Sequence, residues 1–296
     1  MIQTETKKTE EWWDSNPFTY KSNLGVGKQA DQIADLDLAY FDDIDRRYCK
    51  QTDGGTQTAG SPVFSKYIDY ESLRGKKVLD IATGTGFSAV TFARFGADLT
   101  GIDLTNYAVE QTKRNFELHG LKGTVLKMDA QTLEFPDNSF DFVCAHGCLM
   151  HMPDTNKAVR EIYRVLKPGG KVYAWMYNRG WYYWFGIMFL RGFLLGKLIT
   201  YKFSLLAMTS RYSDGLIDGG NAHTKFYSHT GFKKLFEQAG FYNPKITVNH
   251  TAGEWDAWPM RSLNLGWLVP KSVQRFLSTN FGFGLGCSIV AQKTIE

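Results

Sequence analysis

The stretch Val78-Leu-Asp-Ile-Ala-Thr-Gly-Thr-Gly-Phe87 decides the fold of this chain. Its first four residues form a short apolar run that is typical of a buried strand. Gly84 and Gly86 then permit a tight turn and a close approach of the backbone to a ligand, and a helical pattern begins at Phe87. Such a strand, turn and helix bind nucleotides in open α/β sheets, with the ligand outside the carboxyl end of the strand.

Acidic residues around this turn indicate which kind of nucleotide would bind. Gly84-x-Gly86-x-x-Ala89 also fits the loose dinucleotide pattern, so the glycines alone do not separate NAD from other adenosine cofactors. Asp80 precedes them at the strand end, where a carboxylate would repel a pyrophosphate but hold an ammonium group. Asp103 ends the next strand, where it can accept both ribose hydroxyls, and Asp129 ends a third, within reach of an adenine amino group. Three acids without a phosphate anchor favour a cationic amino-acid nucleoside.

Three later segments complete an ordered set of motifs: Phe135-Pro-Asp-Asn-Ser-Phe-Asp-Phe-Val143, His146-Gly-Cys-Leu-Met-His-Met-Pro-Asp154 and Glu161-Ile-Tyr-Arg-Val-Leu-Lys-Pro-Gly-Gly170. From about Gly75 to Asn178 the chain resembles class I S-adenosylmethionine (SAM)-dependent methyltransferases of the methyltransferase-11 type. The resemblance implies SAM as cofactor and S-adenosylhomocysteine as product. The cofactor contacts predicted on this basis are Asp80, Ala82, Gly84, Thr85, Gly86, Asp103, Leu104, Asp129, Ala130 and His146.

Outside that range, Trp12-Trp-Asp-Ser-Asn-Pro17, Phe41-Asp-Asp-Ile-Asp-Arg-Arg-Tyr48 and Arg211-Tyr-Ser-Asp-Gly215 resemble a bacterial subgroup with helices added around this core. The acceptors of that subgroup are mostly unassigned, so the resemblance implies the reaction and leaves the acceptor open.

Apolar periodicity predicts an α/β fold, Rossmann-like, with a seven-stranded and mostly parallel sheet and helices on both faces. The strands are expected near Lys77–Ile81, Asp98–Asp103, Thr124–Met128, Phe140–Ala145, Lys171–Tyr177, Lys245–Asn249 and Ser288–Gln292. The resemblance implies that the last strand inserts antiparallel beside the fifth.

Four regions follow from this pattern: an N-terminal helical cap at 1–73, the SAM-binding core at 74–179, an aromatic insertion at 180–225, and the completion of the sheet at 226–296, which contains a further insertion at 251–284. The cap and both insertions are expected on the ligand side of the sheet, where they can roof the site.

Composition excludes several classes of protein. The 296 residues, 43% of them apolar, suffice for one substantial core, and 34 basic against 30 acidic residues, without an arginine-rich run, do not indicate a nucleic-acid partner. The polar N-terminal stretch has no secretory features, which predicts a cytoplasmic protein, and four scattered cysteines predict free thiols.

Two histidines follow the fourth predicted strand, beside the position that the methyl group occupies in the resembling family. His146 and His151 are therefore the candidate bases, and His151 is preferred because the subgroup also places a histidine there; a structural histidine bonded to a backbone carbonyl is an equal alternative. Cys144-x-His146-x-Cys148-x-x-His151 also suggests a metal site, but Cys144 should face into the sheet, so no metal is predicted.

Aromatic and polar residues outside the core are candidates for contact with the acceptor, with packing or a solvated loop as the alternative. They are Trp13, Tyr20, Arg211, Tyr212 and Tyr227. The uncharged run from Gly180 to Leu190 is too short to span a bilayer, so a lid helix is predicted, with peripheral membrane contact through 181–208 or a homodimer interface as alternatives. The prediction is a methyltransferase that acts on oxygen, nitrogen or sulfur of a small molecule. The alternatives are an RNA or protein methyltransferase and a SAM-binding regulatory protein without turnover.

Overall fold

The computed structural model describes residues 2–17, 33–51, 62–213, 221–249 and 284–295, with a few positions between 270 and 282. Its strands are β1 Lys77–Ile81, β2 Asp98–Asp103, β3 Thr124–Lys127, β4 Phe140–His146, β5 Leu166–Tyr177, β6 Tyr242–Asn249 and β7 Gly286–Gln292. They form one sheet of order β3-β2-β1-β4-β5-β7-β6, in which β1 to β5 are parallel. β7 runs antiparallel to both β5 and β6, which confirms the predicted insertion of the last strand.

Helices separate most of the strands and cover the sheet. They are α1 Ile2–Ser15, α2 Leu38–Gln51, α3 Phe87–Arg94, α4 Asn106–Leu118, α5 Thr155–Val165, a π-helix Tyr182–Leu194, α6 Lys197–Thr200, α7 Leu205–Arg211 and α8 His229–Gln238. The predicted fold class is confirmed.

Burial explains why these sequences form these elements. β1 lies between β2 and β4 and has four consecutive buried residues, as expected for a strand that is covered on both faces. In α5 the apolar residues recur at helical spacing and Ala158, Val159, Ile162 and Val165 are buried. The Asp154 side chain accepts a hydrogen bond from the Lys157 amide and caps that helix.

The strand order reverses between β1 and β4, because β2 lies on one side of β1 and β4 on the other. A crevice opens outside the carboxyl ends of the strands at such a point, and ligands of open α/β sheets bind there. The glycine turn after β1 starts at this crevice. So does the segment 147–154 between β4 and α5, which contains His151 and is here called the histidine loop.

The aromatic insertion packs beside the carboxyl end of β5. Tyr183 and Ile187 of the π-helix form an apolar cluster with Met208 of α7 and Phe226, and Tyr177 at the end of β5 packs against it. Within the residues that the structure describes, no helix has the length and apolar character needed to cross a bilayer. Tyr20 and most of the predicted insertion at 251–284 lie outside the described residues.

Candidate active site

The turn after β1 has the backbone of a ligand-binding loop. Ala82, Gly84 and Gly86 all have positive φ, at 58°, 56° and 83°. A Cβ added to Gly86 would lie 3.0 Å from the Thr112 side chain, whereas one added to Gly84 would meet no atom within 4 Å. Gly86 is therefore required by packing, and Gly84 faces open space where a ligand can approach its backbone.

Asp103 at the end of β2 holds this turn in place. Its Oδ2 accepts a hydrogen bond from the Gly84 amide at 3.1 Å, and its Oδ1 accepts from the Thr105 amide at 3.0 Å. The half-buried Leu104 also directs its amide at the carboxylate, and burial raises the pKa of Asp103 in spite of these bonds. The Thr105 hydroxyl also lies 3.1 Å from Oδ1. Four donors of the protein therefore occupy the carboxylate's roughly four acceptor sites, and ligand hydroxyls would share or replace them.

Helix α4 fixes the other side of the turn. The Thr112 hydroxyl lies 3.1 Å from the Gly84 carbonyl oxygen, and the Asn115 amide nitrogen donates to the Thr85 carbonyl at 2.9 Å. The buried Thr85 hydroxyl has no hydrogen-bond partner among the described residues. A buried polar atom of this kind normally has a partner, which a bound ligand could supply.

Asp80 is bonded inside the core. The Ser88 hydroxyl donates to its Oδ2 at 2.7 Å, and the Cys144 thiol also bonds to the carboxyl. Asp80 is only 1% exposed, and burial raises its pKa to about 7. The side chain thereby joins the first turn of α3 to β1 and β4.

Asp129 lies in a turn that Gln131 closes. The Gln131 amide donates to Asp129 Oδ1 at 2.9 Å, and the Gln131 side-chain nitrogen lies 3.1 Å from both carboxylate oxygens. Gln131 also contacts Thr6 of α1 and accepts from the Asp154 amide at 2.7 Å, while Ala130 beside it is buried. Sequence reasoning missed Gln131, because nothing in its local sequence signals a residue that joins three elements.

Helix α1 reaches the end of β3 and the start of α4. Glu10 forms an ion pair with Lys127 at 2.6 Å, and Asp14 accepts from the Tyr107 amide at 3.4 Å. At the same end of α1, the Trp13 ring meets the His151 ring edge-on, with the centroids 5.1 Å apart. The N-terminal helix thus connects the predicted cofactor side of the crevice with the histidine loop.

His146 is stacked within an aromatic cluster. Its ring lies 4.2 Å from Phe64 and 5.2 Å from Trp175, both nearly parallel to it, and its Nδ1 is 3.1 Å from the Tyr173 hydroxyl. Burial lowers the pKa of His146 to about 3, so the imidazole is neutral at physiological pH.

His151 is 5% exposed and is held by residues from the C-terminal end of the aromatic insertion. Its Nδ1 lies 3.0 Å from the carbonyl oxygen of His223, 3.1 Å from the Asn221 amide nitrogen and 3.2 Å from the Thr224 hydroxyl. The His223 carbonyl can only accept, so it pairs with the tautomer that carries its proton on Nδ1. The Asn221 amide nitrogen can only donate, so it pairs with the tautomer in which Nδ1 has no proton. With the proton on Nδ1, the lone pair is on Nε2, the nitrogen that a base would use.

The end of the insertion positions this polar group. Thr209 of α7 donates to the Thr224 carbonyl at 2.6 Å, and the Thr224 amide donates to the Ser210 hydroxyl at 2.9 Å. His223 is buried, its Nε2 has no hydrogen-bond partner among the described residues, and burial lowers its pKa to about 4. Asn221 and Thr224 were missed by sequence reasoning, because they reach His151 only through the fold.

The other described residues that were predicted to contact the methyl acceptor lie in two places. Tyr227 is half-buried, bonds to Thr155 and pairs with the end of β5, near the His151 loop. Tyr212 packs inside the insertion, where Tyr182 donates to its carbonyl at 2.6 Å, and the Arg211 guanidinium lies 5.9 Å from the Tyr212 ring centre. The structure therefore brings Tyr227 towards the histidine loop and places Arg211 and Tyr212 within the insertion.

The Cys and His side chains of the 144–151 segment have separate partners. Cys144 bonds to Asp80, His146 to Tyr173, and His151 to residues at the end of the insertion. Across the described ranges, no three His, Cys, Asp or Glu side chains are grouped as a metal site would require.

Comparison with known proteins agrees with this geometry. A family model described as a methyltransferase domain matches residues 79–174. The chain is 40% identical over 123 residues to a Caenorhabditis elegans phosphoethanolamine N-methyltransferase, covering 40% of this chain and 27% of that protein. It is 31% identical over 120 residues to a Coxiella burnetii ubiquinone biosynthesis O-methyltransferase, covering 40% of this chain and 51% of that protein. The chain thus spans between about a quarter and a half of the length of these relatives.

A solved structure of a SAM-dependent methyltransferase from Methanosarcina mazei has the same fold, with a TM-score of 0.54 and 20% identity over 80% of this chain and 99% of that one. The match to the bacterial subgroup with added helices stays a prediction. Residues 79–174 therefore match the methyltransferase-domain family model, and the sheet that contains them has the fold of a class I methyltransferase.

Proposed function

We propose that this protein is a SAM-dependent methyltransferase that acts on a small molecule. The observation that carries the proposal is the glycine turn at the carboxyl edge of a methyltransferase domain, in which Asp103 accepts a hydrogen bond from the Gly84 amide. A carboxylate at the end of β2, beside an open backbone turn, suits the ribose of an adenosine ligand.

Several features of the crevice fit this cofactor. Space lies open beside Gly84, the Thr85 hydroxyl is buried without a partner among the described residues, and the Ala82 side chain is exposed. Asp103 would hold the ribose hydroxyls, and the buried carboxyl of Asp80 would favour the cationic amino-acid end. When bound, SAM supplies an electrophilic methyl group, and the chain has to align and deprotonate the acceptor.

His151 is the proposed base for an acceptor that carries a proton. Its Nδ1 is fixed by His223 and Asn221, and the ring is confined by Trp13 at 5.1 Å and by Tyr177 at 6.2 Å. These contacts orient the imidazole, and the Nδ1-protonated tautomer leaves Nε2 to take the proton. His146, Trp175 and Phe64 would supply an uncharged aromatic wall that excludes water.

A small-molecule acceptor is supported by the named relatives, which methylate nitrogen in phosphoethanolamine in one case and oxygen in ubiquinone biosynthesis in the other. In the sequence, the absence of an arginine-rich run argues against RNA. The acceptor atom is left to experiment, because relatives with the same domain differ in it.

Calorimetric titration with S-adenosylhomocysteine tests the cofactor assignment. Asp103→Ala should weaken binding by about 1–3 kcal/mol, because charge-assisted bonds to ribose are lost. Asp141→Ala is the matched control, since Asp141 also accepts from a strand amide, that of Lys77 at 2.9 Å, but at the opposite edge of the sheet. Binding of NAD instead, or equal effects of the two variants, would reject the proposal. Turnover is then tested with methyl-labelled SAM and a metabolite extract.

A further inference from the structure

The aromatic insertion carries a large exposed apolar surface, here called the apolar face. Its members come from the π-helix, α6, α7 and the turns that join them: Trp184, Phe189, Phe193, Leu194, Leu195, Ile199, Phe203, Leu205 and Leu206. Phe193 and Ile199 are each 72% exposed and Phe203 is 70% exposed. Contiguous apolar surface of this kind is uncommon on monomeric proteins and marks an interaction site.

The π-helix separates the apolar face from the packed side of the insertion. Tyr183, Ile187 and Leu190 are buried towards the protein, whereas Phe189 and Phe193 point outwards. The ring centroids of Phe185 and Phe189 lie 5.7 Å apart, and those of Phe189 and Phe193 lie 6.1 Å apart, so the aromatic rings form a row. At 13 residues the helix is shorter than the roughly 20 that span a bilayer, and a one-sided apolar row suits a helix that lies along an interface.

Backbone strain occurs in an exposed part of the apolar face, at residues 202 and 203. Lys202 and Phe203 both have left-handed φ values, 49° and 59°, although neither residue favours this conformation. Phe203 gains no burial in return, since 70% of it is exposed. Strain that is not offset by packing is typical of functional positions.

The charge of the insertion identifies the partner. From residue 180 to residue 213 the sequence contains no Asp or Glu, and Lys197, Lys202 and Arg211 are at least partly exposed there, whereas Arg191 is buried. The two acids of the insertion, Asp214 and Asp218, follow this stretch in the sequence. Lys202 is exposed directly beside Phe203. Two copies of this face would bring cations against cations, which disfavours a symmetric dimer, whereas an anionic lipid surface complements both the cations and the apolar rings.

We propose that the apolar face docks this protein on the surface of an anionic lipid bilayer. Phe193, Phe203 and Ile199 enter the boundary between headgroups and acyl chains, and Lys202 and Lys197 lie at the level of the lipid phosphates. This inference does not rest on the proposed function, since docking requires neither cofactor nor acceptor.

Co-sedimentation with vesicles tests the proposal on the full chain. The protein should pellet with phosphatidylcholine vesicles that contain phosphatidylglycerol, and much less with phosphatidylcholine alone. Phe203→Gly should lower the partition coefficient about five- to tenfold, because the ring that enters the bilayer is removed. Lys202→Gln should lower it about fivefold, the equivalent of about 1 kcal/mol per cation. Glycine suits the left-handed backbone at 203, so thermal unfolding should show an intact fold.

Tyr242→Ser and Lys245→Gln are the matched controls, because both residues are exposed on β6 and Tyr242 is as exposed as Phe203, at 70%. These variants should sediment like the unmodified protein. Failure to sediment, equal sedimentation with neutral vesicles, or equal losses in the controls would overturn the proposal. A dimer that Phe203→Gly dissociates, without vesicle binding, would assign the face to self-association and would also overturn it. Vesicle binding without binding of S-adenosylhomocysteine would reject the proposed function alone.

Discussion

Asp80 couples protein stability to pH through a single buried carboxyl group. Burial raises its pKa from 3.8 to about 7, so between these values the folded state binds the proton more tightly than the unfolded state. Its contribution to the free energy of unfolding therefore falls as the pH rises from about 4 to about 7. Asp80→Asn removes this titration and keeps an oxygen that can accept from Ser88.

We expect Asp80→Asn to raise the free energy of unfolding at pH 8 by about 1–3 kcal/mol and to change it little near pH 4. Urea unfolding at both pH values measures the difference. If Asp80 holds the amino-acid end of SAM, the same substitution weakens SAM binding, because an amide does not attract an ammonium group as a carboxylate does. A more stable variant with unchanged SAM affinity would limit Asp80 to a structural role.

His151 is tested by separating proton removal from orientation. His151→Ala should lower the single-turnover rate of methylation by about 100-fold and leave S-adenosylhomocysteine affinity nearly unchanged, because a base acts on the acceptor. His151→Gln can hydrogen-bond but cannot accept a proton at neutral pH, so it should be similarly slow. His229→Ala is the control, since His229 is exposed at the start of α8. A small effect in both His151 variants would point to an acceptor without a proton to lose.

The tautomer of His151 can be observed directly. A base requires the proton on Nδ1, facing the His223 carbonyl at 3.0 Å. Nitrogen NMR of the labelled imidazole distinguishes this form from the one in which Nδ1 accepts from Asn221. Observation of the second form in the cofactor complex would argue against His151 as the base.

Helix α1 is expected to matter for turnover more than for folding. It contacts the core mainly at the crevice, through Glu10 with Lys127, Asp14 with Tyr107 and Trp13 with His151. Deletion of residues 1–17 should therefore reduce turnover strongly and leave a cooperative unfolding transition, because the sheet begins at Lys77.

Two neighbouring glutamates give a finer test of α1. Glu10→Ala removes the ion pair with β3, whereas Glu11→Ala removes only an exposed pair with Lys7 at 3.9 Å. Turnover should fall in the first variant and not in the second, since exposed pairs of this kind contribute little. Equal turnover in both would mean that the helix does not close the site.

The parts of the fold that the sequence predicted are those set by local pattern. The glycine turn and the seven strands were expected, since hydrophobic periodicity and ordered motifs are readable along the chain. The antiparallel last strand was expected from the family resemblance and not from periodicity. β5 starts at Leu166 and not near Lys171, because Leu166 already pairs with Phe140 of β4 and the ladder resumes at Lys171, opposite Phe142, after an irregularity. Strand ends depend on neighbours and are less readable.

The polar surroundings of the candidate site could not be predicted in the same way. His151 and its partner His223 are 72 positions apart, with most of the insertion between them, and only the fold brings them together. Gln131 joins Asp129, α1 and the start of α5 through one side chain that belongs to no motif. Side-chain bonds between distant segments follow from packing, which a local pattern does not contain.

The position of β7 between β5 and β6 also governs how the chain can fold as it is synthesised. Among the described residues β6 pairs with β7 alone, and β5 has β7 as its second neighbour, so the pairing of both strands requires residues 286–292. Until those residues leave the ribosome, the edge of β5 is an unpaired strand that can bind other nascent chains. The first five strands can form a sheet earlier, so premature termination before residue 286 should yield an aggregation-prone polypeptide and a strong need for chaperones.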